Sequence, residues 1–452
     1  MRAKLQDVAL ISFLLFFTLH LNAQPFYVDN VNSGNGNGAS WATAWSSFSN
    51  INWNAISPGD TIYISGGSTS KTYFEQLTIG KSGASQNPIV ITKGKDSGHN
   101  GTVLIDGNYQ RYGVSSNGRS YITIENLHFD RNNQSLRIRN GSYFTVKNLR
   151  ANIRVGRGIH WENISNGLIS NCQVATDIGA YNHQTDAIYL QFGDNNQVDK
   201  CNVVINNNHP TPHSDGIQLY KETNPTISNN YIEQNVTNAL DNNGIWSSTC
   251  YGTYTIYNNV IYTPYAQQFF NTFGYLEFEA NARLRIYNNT FIGGNSPNVL
   301  MIDDGDAIIK NNIFVGNYPG KGVHLGNNLN NNSDLDYNLY GFLNSSGKIV
   351  FFGSSGNRTI GQLRAVGAAV HGIDRVDPLF AEIETRDFSL QPGSPAINTG
   401  VALGAPFDVD QNGVSRAQDG SWDMGAFEYA GGNVDNTAPA TPSNLRISSQ
   451  GN

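Results

Sequence analysis

A short motif recurs nine times between residues 124 and 338. Each copy has an aliphatic residue, two variable residues and then Asn, Cys or Leu, and successive copies lie 22 to 30 residues apart. A regular period of this size indicates a solenoid, in which each repeat is a structural unit stacked on the one before. The copies are Ile124–Leu127, Val146–Leu149, Ile169–Cys172, Val198–Cys201, Ile227–Asn230, Ile256–Asn259, Ile286–Asn289, Ile309–Asn312 and Leu335–Asn338. The repeat therefore predicts which residues lie side by side.

The repeats have the composition of short β-strands. Segments such as Tyr121–Leu127 and Tyr254–Ile261 alternate in polarity and are rich in β-branched and aromatic residues. Charged residues make up only 14% of the chain, and no segment shows a sustained helical period. A unit of about 22 residues with such strands is typical of one coil of a parallel β-helix. We therefore predict an all-β solenoid with a cap at each end, since the exposed ends of a solenoid must be covered.

The chain divides into five segments. Residues 1–23 have two basic residues, an apolar run and a small residue before a cut, which indicates a secretory signal peptide and a secreted or cell-surface protein. We assign 24–120 to the N-terminal cap and first coils, 121–345 to the β-helix core and 346–430 to the C-terminal coils and cap. Residues 431–452 are typical of a linker that leads into the start of a fibronectin-type module.

The last residue of the motif predicts a ladder at one turn of the solenoid. We expect buried amides to bond from coil to coil and to satisfy backbone groups. The predicted ladder is Asn230, Asn259, Asn289, Asn312 and Asn338. Cys172 and Cys201 occupy the same position in earlier coils. Stacked buried thiols are the favoured interpretation, and a disulfide is the alternative in an exported protein.

A second inward column lies ten or eleven residues before the first, from Val114 to Leu276, and its neighbours should point outward. These neighbours mix arginine, histidine, amide and aromatic side chains, which suits a sugar chain because rings stack on pyranoses and polar groups bond hydroxyls. The candidate substrate-binding residues are Arg137, Arg139, His160, Tyr189, Gln218, Tyr220 and Trp246. The longest repeats, between Cys172 and Asn289, predict loops on one face. An ordinary solvated sheet face is the alternative interpretation.

Asp186 and Asp215 form the sharpest feature because the repeat places them on neighbouring coils. Two carboxylates at strand spacing repel one another unless they share a proton or lie beside a cation or an arginine. His213 precedes Asp215 by two residues, and Lys221 follows on the same coil. The alternative is a pair of turn-capping aspartates that accept hydrogen bonds from backbone amides.

The chain resembles the pectin-lyase-like superfamily of right-handed parallel β-helix proteins over most of residues 25–430. Segments Asp377–Phe380, Asp387–Asn398 and Asp423–Tyr429 are similar to the closing segment of exported bacterial members. The resemblance implies a polysaccharide lyase. In such enzymes calcium or positive side chains neutralise a uronate carboxylate, and a lysine or arginine then removes the C5 proton. The positions that would serve here are Asp186 and Asp215 as calcium ligands and Asp186, Asp215, Lys221, Arg157 and His213 as catalytic residues.

Two alternatives stay open. Thr185–Asp186, Ser214–Asp215 and Asn243–Gly244 resemble the order of segments in polygalacturonases, in which two carboxylates hydrolyse the glycosidic bond. A non-catalytic glycan-binding surface protein is the second. The expected partner is a uronate-containing or sulfated polysaccharide, and the expected protein is a monomer without a membrane span. The net charge of −7 gives no reason to expect nucleic-acid binding.

Overall fold

The computed structural model describes residues 23–31, 36–176, 185–206, 214–235, 243–263, 274–278, 282–293, 300–316, 323–329, 333–341, 350–352, 357–418 and 420–431. Within them the chain forms three long parallel sheets, here named A, B and C in the order in which each coil enters them. Two sheets join because Leu300–Lys310 runs through both C and A. The prediction of an all-β parallel β-helix is confirmed.

The strands of each sheet stack in chain order. Sheet A contains Pro25–Val28, Thr61–Ile64, Ile89–Lys93, Ile122–Glu125, Phe144–Lys147, Leu168–Ser170, Gln197–Asp199, Thr226–Ser228, Thr253–Tyr257, Arg283–Tyr287, part of Leu300–Lys310 and Asp334–Asp336. Sheet B contains Ser70–Tyr73, Thr102–Asp106, His128–Asp130, Arg150–Ile153, Gln173–Thr176, Asn202–Ile205, Tyr231–Gln234, Val260–Thr263, Thr290–Gly293, Ile313–Gly316, Leu339–Gly341 and Ile373–Asp374. Sheet C contains Leu77–Thr78, Val114–Asn117, Gln134–Ser142, Arg157–Ser165, Ile188–Gln191, Ile217–Tyr220, Ile245–Cys250, Gly274–Phe278, Leu300–Lys310, Val323–Leu329, Val350–Phe352 and Asn357–Arg358.

Few helical turns accompany the sheets. Among the described residues, the α-helix is Ile360–Arg364, and the short 3₁₀ turns are Trp41–Thr43, Phe48–Asn50 and Ile383–Thr385. A hairpin of Phe380–Glu382 and Asp387–Leu390 follows the last coil. No helix among the described residues is long and apolar enough to span a membrane.

The repeat fixes the core as predicted. In sheet A, for example, Ile124 pairs with Val146, and Val146 with Ile169, and all three side chains are buried. Removing this apolar column from water is the main stabilising contribution of each coil. The coil-to-coil pairing explains why one motif can specify the whole stack.

The asparagine ladder is also confirmed. Oδ1 of each asparagine accepts hydrogen bonds from the backbone and side-chain N–H groups of the preceding one, as between Asn289 and Asn312 at 2.9 and 3.0 Å. The side-chain amide of Asn289 also donates to the backbone oxygens of Ile256 and Tyr287. Cys172 and Cys201 are buried free thiols at the same turn, so the favoured interpretation holds. The backbone N–H of Cys201 donates to Asn230, which joins the two parts of the column.

The C-terminal segment has two parts. Ile360 and Leu363 contribute to the main core after the last coils. The later residues lie against the outer side of sheet B, where Phe388 packs on Tyr262 and Arg386 forms an ion pair with Glu233 at 2.8 Å. This segment covers sheet B, whereas we find no comparable cover over sheet C among the described residues.

Candidate functional site

The outer face of sheet C carries the predicted polar column. Arg137 pairs with His160, His160 with Tyr189 and Tyr189 with Gln218, and the pairing continues to Trp246. A second column runs beside it through Arg139, Glu162, Gln191 and Tyr220. The sequence therefore predicted the neighbours correctly on five consecutive coils.

Further along, the predicted register is wrong by two residues. Ile245 pairs with Gly274 and not with Leu276. Gly274 lies twelve residues before Ile286 in the sequence, whereas earlier coils use ten or eleven. The turn from sheet C to sheet A is longer on this coil, and counting back by a constant interval therefore misplaces the strand.

Several of the outward residues are nevertheless buried. His160, Tyr189 and Gln218 are at most 9% exposed. Coils stack at strand spacing, about 4.8 Å, so large side chains of neighbouring coils cover one another. Arg137, Arg139, Arg157 and Trp246 keep partial exposure. The face is therefore a closely packed polar layer with arginine and aromatic edges.

A directed hydrogen-bond network fixes His160. Its Nε2 lies 2.9 Å from Nη1 of Arg137 and 3.1 Å from Nε2 of Gln191, and both of those groups are donors. Because Nε2 faces two donors we assign it as the acceptor and place the proton on Nδ1, which lies 3.1 Å from Oε1 of Gln134 and 3.2 Å from Nη1 of Arg137. The Tyr189 hydroxyl donates to Oε1 of Gln191 at 3.0 Å, which agrees with the nitrogen of that amide facing His160.

Electrostatics keep this histidine neutral. Burial and then the charges of Arg137, Arg157 and Arg139 lower the pKa of His160 to about 2. Burial similarly raises the pKa of Tyr189 to about 12, so the phenol keeps its proton. Because the imidazole is uncharged, the positive charge of this cluster comes from the three arginines.

Arg157 is held in place by two contacts. Its Nε donates to Oδ2 of Asp186 at 2.9 Å, and its guanidinium carbon lies 4.3 Å from the centre of the Tyr189 ring. Arg137 is fixed by an ion pair with Glu162 in addition to its contact with His160. Two guanidinium groups are thus oriented before any ligand arrives.

Asp186 and Asp215 lie one above the other as predicted, but both are fully buried. Oδ1 of Asp186 accepts the backbone N–H of Asp215 at 3.2 Å. Oδ1 of Asp215 accepts the backbone and side-chain N–H groups of Asn243 at 2.9 and 3.1 Å. The two carboxylates thus form a ladder between coils, and these contacts match the turn-capping alternative of the sequence analysis.

Lys221 and Tyr220 lie at the end of strand Ile217–Tyr220. Nζ of Lys221 is 5.3 Å from the centre of the Tyr220 ring and 5.9 Å from that of Phe192, a residue that is not among those predicted from the sequence. Tyr220 also contacts Phe192 edge to face at 5.5 Å. His213 lies outside the described residues. The sequence could have pointed to Phe192, because this residue occupies the turn position that Asn140 and Asn163 hold in earlier coils.

Glu222 is a buried acid just behind this edge. It accepts hydrogen bonds from the Gly193 backbone and the Asn196 side chain, and burial raises its pKa to about 7. The folded state therefore binds this proton more tightly than the unfolded state does, and stability is lost as the pH rises from about 4.5 to 7. We expect Glu222→Gln to remove this dependence. In urea unfolding, the free energy of the variant should rise relative to wild type by about 2 kcal/mol between pH 5 and pH 8. A constant difference would contradict the raised pKa.

Comparisons with known proteins support the fold. The family described as right handed beta helix region matches residues 112–275. The structure of pectate lyase Pel9A is similar to this chain with a TM-score of 0.54 at 16% identity, covering 90% of this chain and 96% of that one. A rhamnogalacturonan lyase is similar with a TM-score of 0.54 at 13% identity, covering 82% of this chain and 94% of its own. No curated protein matches this chain. The right-handed parallel β-helix fold is thereby confirmed.

Proposed function

We propose that the protein cleaves an acidic polysaccharide by β-elimination on the outer face of sheet C. The observation that carries the proposal is the pair of preorganised guanidinium groups of Arg137 and Arg157 beside the neutral His160. Arginine forks match carboxylate or sulfate groups. The structural likeness to a pectate lyase and a rhamnogalacturonan lyase agrees with a polysaccharide substrate of this kind.

The roles follow from the contacts. A uronate carboxylate bound by Arg137 and Arg157 would lose much of its charge, which acidifies the C5 proton. A base takes that proton, a double bond forms between C4 and C5 as the C4–O bond breaks, and the leaving oxygen takes a proton from water. Arg157 is a permanent cation that forms an ion pair with Asp186 at 2.9 Å, so it suits charge neutralisation and not proton removal. Lys221 is the proposed base.

Calcium does not fit the residues that the sequence suggested for it. A calcium ion takes six to eight oxygen ligands. Asp186 and Asp215 are fully buried, and one oxygen of Asp186 already faces the guanidinium of Arg157. No group of three or more acidic, histidine or cysteine side chains suited to a metal occurs among the described residues. The arginines supply the positive charge in our proposal.

Incubation with polygalacturonate, alginate and chondroitin sulfate, with and without EDTA, tests the proposal. We expect ultraviolet absorbance from a new C=C bond with at least one polymer, and no loss of rate in EDTA. New reducing ends without that absorbance would indicate hydrolysis instead. Binding without either signal would indicate a non-catalytic glycan-binding protein. Loss of the absorbance in EDTA would show that a metal, and not the arginines alone, supplies the charge.

A further inference from the structure

One turn position at the edge of sheet C has the same unusual backbone on six successive coils. The residue after each sheet C strand, or within the longer ones, adopts a left-handed conformation with φ between 52° and 67°. The column is Gly118, Asn140, Asn163, Phe192, Lys221 and Thr249. Glycine and asparagine tolerate this conformation, but other residues are disfavoured there by about 1–2 kcal/mol, and β-branched threonine most of all.

The first three coils use the residues that suit this conformation. The side chain of Asn163 also donates to Oδ1 of Asn140 at 2.9 Å, and that of Asn140 donates to Asn117. The next three coils abandon this arrangement for phenylalanine, lysine and threonine. Three consecutive residues that do not favour this conformation occupy it, and observed backbone strain of this kind points toward function.

The phenylalanine ring is not used in the core. Phe192 is 46% exposed, and its described ring contacts are with the Tyr220 ring and the ammonium group of Lys221. An exposed aromatic ring presents an apolar surface on which the face of a sugar ring can stack.

The edge is continuous with the candidate site. Tyr220 pairs with Gln191 in the sheet, and the side chain of Gln191 contacts His160. On the coil of Arg157 the edge residue is Asn163, six residues further along the strand or about 20 Å, so a ligand that reaches both must run along the strands as well as across the coils.

We propose that Phe192 is a specificity-determining residue that stacks on one sugar ring of an acidic polysaccharide. The inference rests on the proposed function for the class of ligand, and it adds a binding contact outside the arginine cluster. Asparagine at position 192 would restore the residue type of the earlier coils, and it would remove the ring.

Affinity electrophoresis in gels containing polygalacturonate, alginate or chondroitin sulfate tests this, with thermal unfolding alongside. We expect wild type to be retarded by at least one polymer and Phe192→Asn to weaken that binding about tenfold, the effect of losing one stacked ring. The same variant should unfold about 1 °C higher because the backbone strain is relieved. Phe192→Tyr should bind within about twofold of wild type because it keeps the ring.

Tyr143→Asn is the matched control. Tyr143 is also an exposed aromatic residue with positive φ, 47% exposed and stacked on Tyr121 in a different turn column. It should gain stability without losing affinity. Equal binding by Phe192→Asn and wild type would overturn the inference, and so would an equal loss in Tyr143→Asn or no retardation of wild type. Binding that depends on Phe192 without any cleavage would instead refute the proposed lyase activity alone.

Discussion

Replacing Arg157 with methionine is expected to lower the rate of polysaccharide cleavage by about 10²- to 10³-fold, the usual cost of removing one preorganised group that stabilises developing charge. The guanidinium is held by Asp186 and the Tyr189 ring, so it needs no reorganisation when substrate binds. The loss should appear mainly in kcat, because the charge on the substrate grows as the C5 proton leaves. Initial rates of absorbance increase would measure it.

The Arg157 variant needs a control for folding, because it removes the cation that is paired with the buried carboxylate of Asp186. The double variant Arg157→Met/Asp186→Asn removes the stranded charge, and the amide oxygen then present at position 186 can still accept the backbone N–H of Asp215. We expect it to regain most of the stability but not the activity. Arg285→Ala, on the exposed side of sheet A, should keep activity within about twofold. A double variant as active as wild type would exclude Arg157 from the reaction.

The repeat predicted the fold and the neighbours of most site residues. A parallel β-helix leaves little freedom once the period is known, because each residue must pair with its equivalent on the next coil. This is why Arg137, His160, Tyr189, Gln218 and Trp246 could be placed in one column from sequence positions alone.

Burial within that column could not be predicted in the same way. Alternation shows only that a side chain leaves the core, whereas its exposure depends on the size of the side chains above and below it. The repeat therefore predicted the positions of Asp186 and Asp215 in the stack correctly, but it did not predict their full burial. The position of the C-terminal segment on sheet B was equally hidden, because its contacts, such as Arg386 with Glu233, join residues 153 apart without any repeat.

Arg416 anchors that C-terminal segment to the solenoid through fully buried contacts. Its guanidinium donates to the side chain of Asn258 and to the backbone oxygen of Gly425, both at 3.0 Å, and lies 3.4 Å from Oε2 of Glu428. Neither partner of this ion pair is exposed. Removing one partner of a buried pair leaves an uncompensated charge and usually costs about 3–5 kcal/mol.

We therefore expect Arg416→Met to lower the free energy of unfolding by about 3–5 kcal/mol at pH 8, measured by urea denaturation. Arg386→Met is the control, since its ion pair with Glu233 is partly exposed and should contribute about 1 kcal/mol or less. Burial raises the pKa of Glu428 to about 7, and loss of the arginine raises that pKa further. Because a protonated Glu428 no longer strands a charge, the destabilisation by Arg416→Met should be smaller at pH 5 than at pH 8. An equal loss at both values would mean that the variant acts through the lost contacts to Asn258 and Gly425 and not through the stranded carboxylate.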